Sequence, residues 1–314
     1  MDSTFESASA SVSAAQNLVQ EMLNKEGSDS AFNVRLYEPN LNELMSDDAL
    51  TSVGRRLLKN NSFNPVYKSI AGLKTNVVDS HLFEAFLQPD NSIMEGDYPI
   101  NLLDRLRNSK LALELDTYLL NSCCIQLGMN SRNVERAKVM INLSTKTLIM
   151  PNFVEWFLGV VNRFNIHPSS FIVQVEEYEA SKQMIKLMKL QKELADVGMG
   201  MSMSKVNFEY IPSKTIEKLQ LNYFKLHPVT SQKIYSSGNN RANIDMREKA
   251  LTTLKQVLTC AQASSAYVIA TEVDQAKLLP KLWQLGVNFI EGSYVASESS
   301  NMNFANSLIV DEPN

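Results

Sequence analysis

The sequence lacks the features that identify several common classes of protein. None of its 314 residues lies in an apolar run approaching the roughly 18 residues of a membrane-spanning helix. The N-terminal stretch MDSTFESASASVS has no basic region and does not look like a signal peptide. The net charge of −4 disfavours general nucleic-acid binding, which needs a basic surface, although it leaves room for a small nucleotide ligand. We therefore expect no membrane span and no DNA or RNA partner.

Common metal and nucleotide signatures are also missing. The three histidines form no HxH or HxxxH pair, which disfavours a histidine-based metal site. No GxGxxG follows a predicted strand and no GxxxxGK[ST] occurs, so the nucleotide motifs of open sheets are absent. An odd number of cysteines without a CxxC pair predicts reduced, buried thiols and a cytoplasmic location. These cysteines are Cys123, Cys124 and Cys260.

The first 58 residues predict a small N-terminal extension. Apolar residues at helical spacing predict a helix over residues 5–24, and FNVRLY predicts a strand over residues 32–37. A second helix is predicted over Asp47–Lys59. These elements are too small to bury a core, so the extension is either an accessory layer or the remnant of a preceding domain.

From residue 59 to residue 300 the pattern alternates between short apolar strands and amphipathic helices. Strands are predicted over residues 64–70, 79–87, 138–143, 171–176, 199–203, 222–226, 266–270 and 287–290. Alternation of this kind indicates right-handed βαβ units, and eight strands fit a (β/α)8 TIM-like barrel better than an open sheet. The segment from Ser297 onwards is polar, and we expect it to pack loosely or fray into a tail over residues 301–314.

In barrels of this kind, functional side chains follow the carboxyl ends of the strands. The residues at these ends are Glu84, Asn142, Glu176, Glu177, Ser204, Lys205, Lys225, His227, Thr271–Asp274 and Glu291. A ring of acids with an amide and a lysine has the chemistry of a site for divalent cations and a phosphate.

Several segments in order resemble the motifs of the EAL family of cyclic di-GMP phosphodiesterases. SHLFEAFLQ resembles the signature segment, with Glu84-Ala85-Phe86 in place of Glu-Ala-Leu. The other matching segments are LDTYL (115–119), INLS (141–144), VQVEEY (173–178), FKLH (224–227), YVIATEVD (267–274) and EGSYVASES (291–299). The resemblance implies a barrel whose first strand runs antiparallel to the rest. It also makes the N-terminal extension similar to the closing helix and strand of a GGDEF domain, in a position where it would support a homodimer.

The departures from the family motifs remove carboxylates that bind metal ions in active members. Ser204 and Lys205 stand where the family has two aspartates, and Gln174 stands where it has a metal-binding glutamate. Thr271, His227 and Gln88 replace a glutamate, an aspartate and an arginine, and Glu291 replaces a glutamine. Because two-metal hydrolysis needs several hard oxygen ligands, we expect neither Mg²⁺ or Mn²⁺ binding nor catalysis.

Two hypotheses follow. The first is a receptor of the FimX type, which binds cyclic di-GMP without metal and regulates type IV pili or twitching motility. Lys205 or Lys225 would then face a phosphate, while Glu291 and Asp116 would face the guanines. The candidate ligand-binding residues are Glu84, Phe86, Leu87, Gln88, Asp116, Asn142, Glu177, Lys205, Lys225, Asp274 and Glu291. The second hypothesis is an interaction scaffold that has lost the nucleotide and binds protein. A PilZ-class adaptor is a possible partner under either hypothesis.

Overall fold

The structure, a computed structural model, describes residues 46–73, 81–90, 93, 98, 101–130, 137–235 and 241–304. The helix predicted over residues 5–24 and the strand predicted over residues 32–37 lie outside these ranges. Within them, eight strands form a closed barrel in sequence order. The strands are β1 (Phe63–Gly72), β2 (His81–Pro89), β3 (Ala137–Asn142), β4 (Phe171–Glu176), β5 (Gly200–Val206), β6 (Tyr223–Leu226), β7 (Tyr267–Ala270) and β8 (Phe289–Ile290).

The first helix precedes β1, and the other helices connect consecutive strands on the outside of the barrel. They are α1 (Asp47–Lys59), α2 (Leu102–Arg107), α3 (Ala112–Met129), α4 (Thr145–Leu148), α5 (Phe153–Asn162), α6 (Glu177–Asp196), α7 (Ser213–Ile216), α8 (Pro228–Tyr235), α9 (Arg241–Ala263) and α10 (Leu279–Leu285). Short 3₁₀ turns lie at Pro168–Ser170, Glu217–Leu219 and Ala276–Leu278. Among these helices, none combines the length and the apolar composition required to cross a membrane.

The topology confirms the predicted (β/α)8 barrel with a reversed first strand. β1 pairs antiparallel with both β2 and β8, and every other neighbouring pair is parallel. The three cysteines are buried and free of disulfide bonds, as the sequence predicts. Burial raises the pKa of each thiol, most strongly for Cys123. These thiols therefore act as small core residues.

On seven of the eight strands, the side chains that face the barrel interior change from apolar to polar within two residues. One end is filled by a buried cluster of Ile70, Leu82, Met140, Ile172, Tyr223, Ile269 and Phe289. Side chains alternate between the two faces of a strand, so the residue two positions towards the other end of the barrel also faces the interior. On β1, which runs in the opposite direction, this residue comes two positions earlier in the sequence. In the same order, these residues are Lys68, Glu84, Asn142, Gln174, Lys225, Thr271 and Glu291. The apolar cluster is thus a floor beneath a ring of polar side chains at the other end, which we call the mouth.

Helix α1 packs against the barrel. Leu50 and Leu57 on this helix are buried, and Gly54 lies so close to α2 and α3 that an added Cβ would come within 2.4 Å of Leu111 and 2.5 Å of Leu106. The described residues from Ser46 onwards form one compact unit. The helix that the sequence pattern assigns to the extension is therefore packed as part of the barrel unit, because a glycine at its centre allows close approach.

The first part of the C-terminal segment is held in place, contrary to the expectation of loose packing from Ser297 onwards. β8 has only two residues, so it leaves most of the adjacent edge of β1 unpaired. Ser299 fills this edge through two backbone hydrogen bonds with Tyr67, of 2.8 and 3.1 Å. Further along, Met302 is buried and the Phe304 ring contacts the Phe83 ring at 5.1 Å. Unpaired strand amides provide the driving force for this docking.

Candidate functional site

A buried lysine lies at the centre of the mouth. Lys225, on β6, places its Nζ atom 2.5 Å from Glu84 Oε2 and 2.6 Å from Glu291 Oε2. The three residues come from β6, from β2 and from the position directly after β8, and each is only 6% exposed. One ammonium group therefore bridges two carboxylates in a region that excludes most water.

The pKa values in this cluster reflect competition between burial and charge. Burial raises the pKa of Glu84, but the charge of Lys225 and hydrogen bonds from Lys225 and Gln174 outweigh it, so the pKa falls below its usual value. Burial also raises the pKa of Glu291, and here the attraction of Lys225 does not offset it. For Lys225, burial lowers the pKa but the two carboxylates raise it above the usual value. Lys225 is therefore a charged lysine that holds Glu84 ionised.

Neighbouring side chains add hydrogen bonds and a further ion pair to the cluster. The Gln174 amide donates to Glu84 Oε1 at 2.5 Å, and its oxygen accepts from the Ser202 hydroxyl at 3.4 Å. Lys68, on the opposite side, lies 4.0 Å from Glu291 Oε1 and 2.9 Å from Glu298 Oε1. Buried polar groups need such partners, and Gln174 supplies a donor where a carboxylate would add a further negative charge.

A bulge in β5 sets the position of Lys205. The pairing of β5 with β6 shifts between Met203 and Val206, and Lys205 has a φ of +54°, in the left-handed region. Its Nζ lies 2.7 Å from Glu176 Oε1 on β4. Bulges redirect side chains next to functional sites, and this one turns Lys205 towards the rim while Ser204 stays buried.

Two adjoining cavities open at the mouth. The mouth cavity, of about 240 Å³, lies above the lysine cluster, and the rim cavity, of about 290 Å³, lies beside it. Four residues line both cavities: Asn142, Gln174, Glu176 and Lys205. The Lys205–Glu176 ion pair therefore belongs to the boundary between them. Arg107 lines the rim cavity and donates to the Asn142 backbone oxygen at 2.8 Å.

Six of the predicted site residues meet in the mouth cavity, as expected for residues at the ends of barrel strands. They are Glu84, Phe86, Asn142, Lys205, Lys225 and Glu291. Among the residues that the structure describes, no group of three or more His, Cys, Asp or Glu side chains is arranged to hold a metal ion.

The remaining candidates do not line either of these two cavities. Leu87 is buried with its side chain on the outer face of β2, and Gln88 is exposed opposite Asn64 of β1. Asp274 accepts hydrogen bonds from the amide and hydroxyl of Ser293.

Glu177 and Asp116 are buried acids whose oxygens are occupied by the protein itself. Glu177 accepts four backbone N–H bonds of 2.8–3.0 Å from the loop after β5. Asp116 accepts from the backbone amide and the hydroxyl of Ser144, the residue that precedes α4. Burial raises the pKa of Asp116. Both carboxylates fix loops at the mouth and do not face its cavities.

Lys68 and Arg107 line the cavities but were not among the sequence candidates. The signal for Lys68 was present, because in a reversed first strand the residue two positions before the apolar Ile70 points to the mouth. Arg107 is the last residue of α2, and no sequence motif indicates that this helix lies beside the mouth.

Comparisons with known proteins agree with this architecture. Residues 53–298 match the model of the EAL domain. The probable cyclic di-GMP phosphodiesterase PdeA of Escherichia coli (strain K12) is 22% identical over 208 residues, which cover 66% of this chain and 27% of that protein. The chain thus spans about a quarter of the length of this curated relative.

Two solved structures have the same fold at low sequence identity. The FimX EAL domain from Pseudomonas aeruginosa, bound to c-di-GMP, is 19% identical with a TM-score of 0.67, and the match covers 81% of this chain and 98% of that one. The Xanthomonas citri FimX EAL domain, in complex with c-di-GMP, is 14% identical with a TM-score of 0.68 and covers 83% and 98%. The family model spans most of the chain and the barrel has the same architecture, so the protein belongs to the EAL domain family.

Proposed function

We propose that this protein is a catalytically inactive receptor for cyclic di-GMP in bacterial signalling. The observation that carries the proposal is the position of Lys225, whose ammonium lies within 2.6 Å of both Glu84 and Glu291. These are the two buried carboxylates of the mouth. The centre of the site therefore already holds a positively charged side chain that pairs with both of its buried carboxylates.

The donor set of the mouth does not fit a pair of divalent cations. Mg²⁺ and Mn²⁺ favour several oxygen ligands, which in proteins are mainly carboxylates and water. Here the lone pairs of Glu84 are engaged by Lys225 and Gln174, and Lys205 adds a further positive charge at the rim. A metal ion at this point would meet an ammonium group at contact distance. No hydrolytic step is assigned to these residues.

Cationic side chains around the cavities support the binding of a phosphate-containing ligand. Lys68 and Lys205 line the mouth cavity, and Arg107 lines the rim cavity. Charge-assisted hydrogen bonds from such groups to phosphate oxygens are about twice as strong as neutral ones. The similar FimX EAL domains were solved with c-di-GMP bound, and we transfer that ligand to this chain as a proposal.

Calorimetry of the full chain with cyclic di-GMP tests binding and metal independence together. We expect the same dissociation constant in EDTA and in excess Mn²⁺, with no linear dinucleotide detected by chromatography after prolonged incubation. Lys205→Gln should weaken binding, whereas Lys189→Gln should not, because Lys189 pairs with Glu193 on the exposed face of α6. Turnover in Mn²⁺ would contradict inactivity, and the absence of binding would contradict the receptor.

A protein-binding scaffold is the second candidate, and the ion pairs of the mouth favour it. Because Lys225 already pairs with both buried carboxylates, the folded barrel does not depend on a bound metal ion or ligand for these contacts. A ligand at 100 times its dissociation constant stabilises a protein by about 2.7 kcal/mol. The absence of any thermal shift with cyclic di-GMP, together with capture of a purified PilZ-class adaptor, would favour the scaffold.

The output that we propose for either function is regulation of type IV pili or twitching motility through that adaptor. Deletion of the gene should then change twitching on agar. A homodimer is a further proposal, which sedimentation of the full chain tests directly.

A further inference from the structure

We propose that Lys68 contacts a phosphate group of the bound ligand and that Glu298 competes with this phosphate for the lysine, a role that rests on the proposed function for its ligand class. Glu298 is then a built-in competitor that sets the affinity of the mouth for anions.

Lys68 lies where an entering phosphate would meet it. Its side chain lines the mouth cavity and is 27% exposed. The Nζ atom lies 2.9 Å from Glu298 Oε1, 4.0 Å from Glu291 Oε1 and 5.3 Å from the centroid of the Phe86 ring. The aromatic face and the distant Glu291 hold the ammonium over the cavity, while its one close ion-pair partner comes from the C-terminal segment.

Lys68 can exchange its partner at a lower cost than Lys225 can. Lys225 is buried between two carboxylates at 2.5 and 2.6 Å, so removing either contact would leave a charge unpaired in a region without water. The Glu298 side chain is 41% exposed, and its carboxylate would be hydrated if it released Lys68. Partly exposed ion pairs of this kind contribute little net stability.

The backbone of Glu298 is fixed beside the mouth while its side chain stays accessible. The next residue, Ser299, forms the two hydrogen bonds with Tyr67 that cover the edge of β1 left open by the short β8. Tyr67 directly precedes Lys68, so the two charged residues are held side by side. The carboxylate can therefore swing away from Lys68 without displacement of the backbone.

Removal of the competing carboxylate should strengthen anion binding. In Glu298→Gln, a phosphate no longer displaces a charged partner, and we expect cyclic di-GMP to bind about two- to fivefold more tightly in low salt, the range of an exposed ion pair. Lys68→Gln should weaken binding, and the double variant should bind like Lys68→Gln. If Glu298 had a purely structural role, Glu298→Gln would leave the affinity for cyclic di-GMP unchanged or lower it, because the loss of a stabilising contact does not strengthen ligand binding.

Glu114→Gln is the matched control. Glu114 pairs with Arg55 at 2.7 Å on α3 and α1, is 44% exposed, and lines neither cavity. The substitution and the change in net charge are the same as in Glu298→Gln. We expect no change in affinity, which separates the local competition from a general effect of protein charge.

Calorimetry on the full-length variants should use two probes, cyclic di-GMP and inorganic pyrophosphate. If wild type and Glu298→Gln bind cyclic di-GMP equally well, the proposed competition by Glu298 is refuted and the receptor function stands. If neither wild type nor any variant binds cyclic di-GMP, the receptor function is refuted, and the affinities for pyrophosphate then test the competition. Tighter pyrophosphate binding by Glu298→Gln than by wild type and Glu114→Gln supports it, and equal or absent binding overturns it. Should Lys68→Gln fail to fold, the comparison of the two glutamate variants decides alone.

Discussion

Substitution of Lys225 by methionine isolates the energetic role of the charge cluster at the mouth. Methionine keeps most of the aliphatic length of the side chain and removes only the ammonium. In the wild type this ammonium lies 2.5 and 2.6 Å from the carboxylates of Glu84 and Glu291, and all three residues are nearly inaccessible to water. The variant would leave two neighbouring buried carboxylates, with only Lys68 remaining, 4.0 Å from Glu291.

The loss should be large because one cation serves two anions. Removal of one partner from a buried ion pair costs about 3–5 kcal/mol, since an uncompensated charge stays behind. We expect Lys225→Met to lower the free energy of unfolding by about that amount at pH 8. A total stability of about 5–15 kcal/mol is usual for a protein domain, so the variant should remain folded but become much more sensitive to denaturant.

The destabilisation caused by Lys225→Met should depend on pH in a defined direction. In the wild type Lys225 lowers the pKa of Glu84 below the reference value of 4.5, so this contact contributes stability above that pH and loses it as the pH falls through the folded-state pKa. Without the lysine, burial would raise the pKa of both carboxyls above 4.5 in the folded state. Their ionisation then destabilises the variant as the pH rises. The difference between wild type and variant should therefore be smaller at pH 5 than at pH 8.

Urea denaturation followed by circular dichroism at pH 5 and pH 8 measures the effect. A triple variant, Lys225→Met with Glu84→Gln and Glu291→Gln, removes all three charges and should recover most of the loss, because neutral replacement of a buried cluster is often tolerated. Lys205→Met provides an exposed comparison: this lysine pairs with Glu176 but is 51% exposed, so about 1 kcal/mol or less is expected. A loss below about 1 kcal/mol for Lys225→Met at pH 8, or a loss that grows at pH 5, would refute the reasoning.

Three further substitutions test the groups that shape the mouth. Glu177→Ala leaves four backbone amides of residues 207–211 without their acceptor and should lower the free energy of unfolding by about 2–4 kcal/mol in urea denaturation. Hydrogen exchange of these amides should become faster, and unchanged exchange would contradict the role of Glu177 in fixing the loop. Gly292→Ala should lower the melting temperature by several degrees, because the φ of Gly292 is 153° and the new Cβ would lie 2.4 Å from the Val273 backbone. An unchanged melting temperature would mean that the loop can move away from Val273. Asp116→Ala removes the acceptor for the amide and hydroxyl at the start of α4 and should cost about 1–3 kcal/mol, while leaving the affinity for cyclic di-GMP unchanged if the acid is purely structural.

The barrel could be predicted because its signal is repeated in seven of the eight strands. Each of these strands places an apolar residue in the floor and a polar one two positions away, as Leu82 and Glu84 do on β2 and Tyr223 and Lys225 do on β6. Such alternation depends only on the geometry of a strand. The same alternation brought six of the candidate residues together in the mouth cavity.

The partners of the acids could not be predicted in the same way. Glu177 directly follows β4 and Asp116 lies within α3 in a segment that resembles a family motif, yet their oxygens accept bonds from backbone amides far away in sequence. Only the loop geometry decides whether a carboxylate faces a cavity or the main chain. The docking of Ser299 onto Tyr67 was hidden for a related reason, because it depends on the two-residue length of β8 rather than on the polar composition of the segment itself.

The charged residues of the mouth are best understood as a set, because each carboxylate has a lysine as its partner. Glu84 and Glu291 share Lys225, Glu176 pairs with Lys205, and Glu298 pairs with Lys68. A metal site would need the opposite distribution, with an excess of carboxylates balanced by bound cations. Restoration of a single aspartate at position 205 would add one negative charge and remove the partner of Glu176, while Lys225 would still occupy the centre. For the proposed phosphate ligand, the lysines able to exchange their partners are those paired with a partly exposed carboxylate, and Lys68 and Lys205 meet that condition where Lys225 does not.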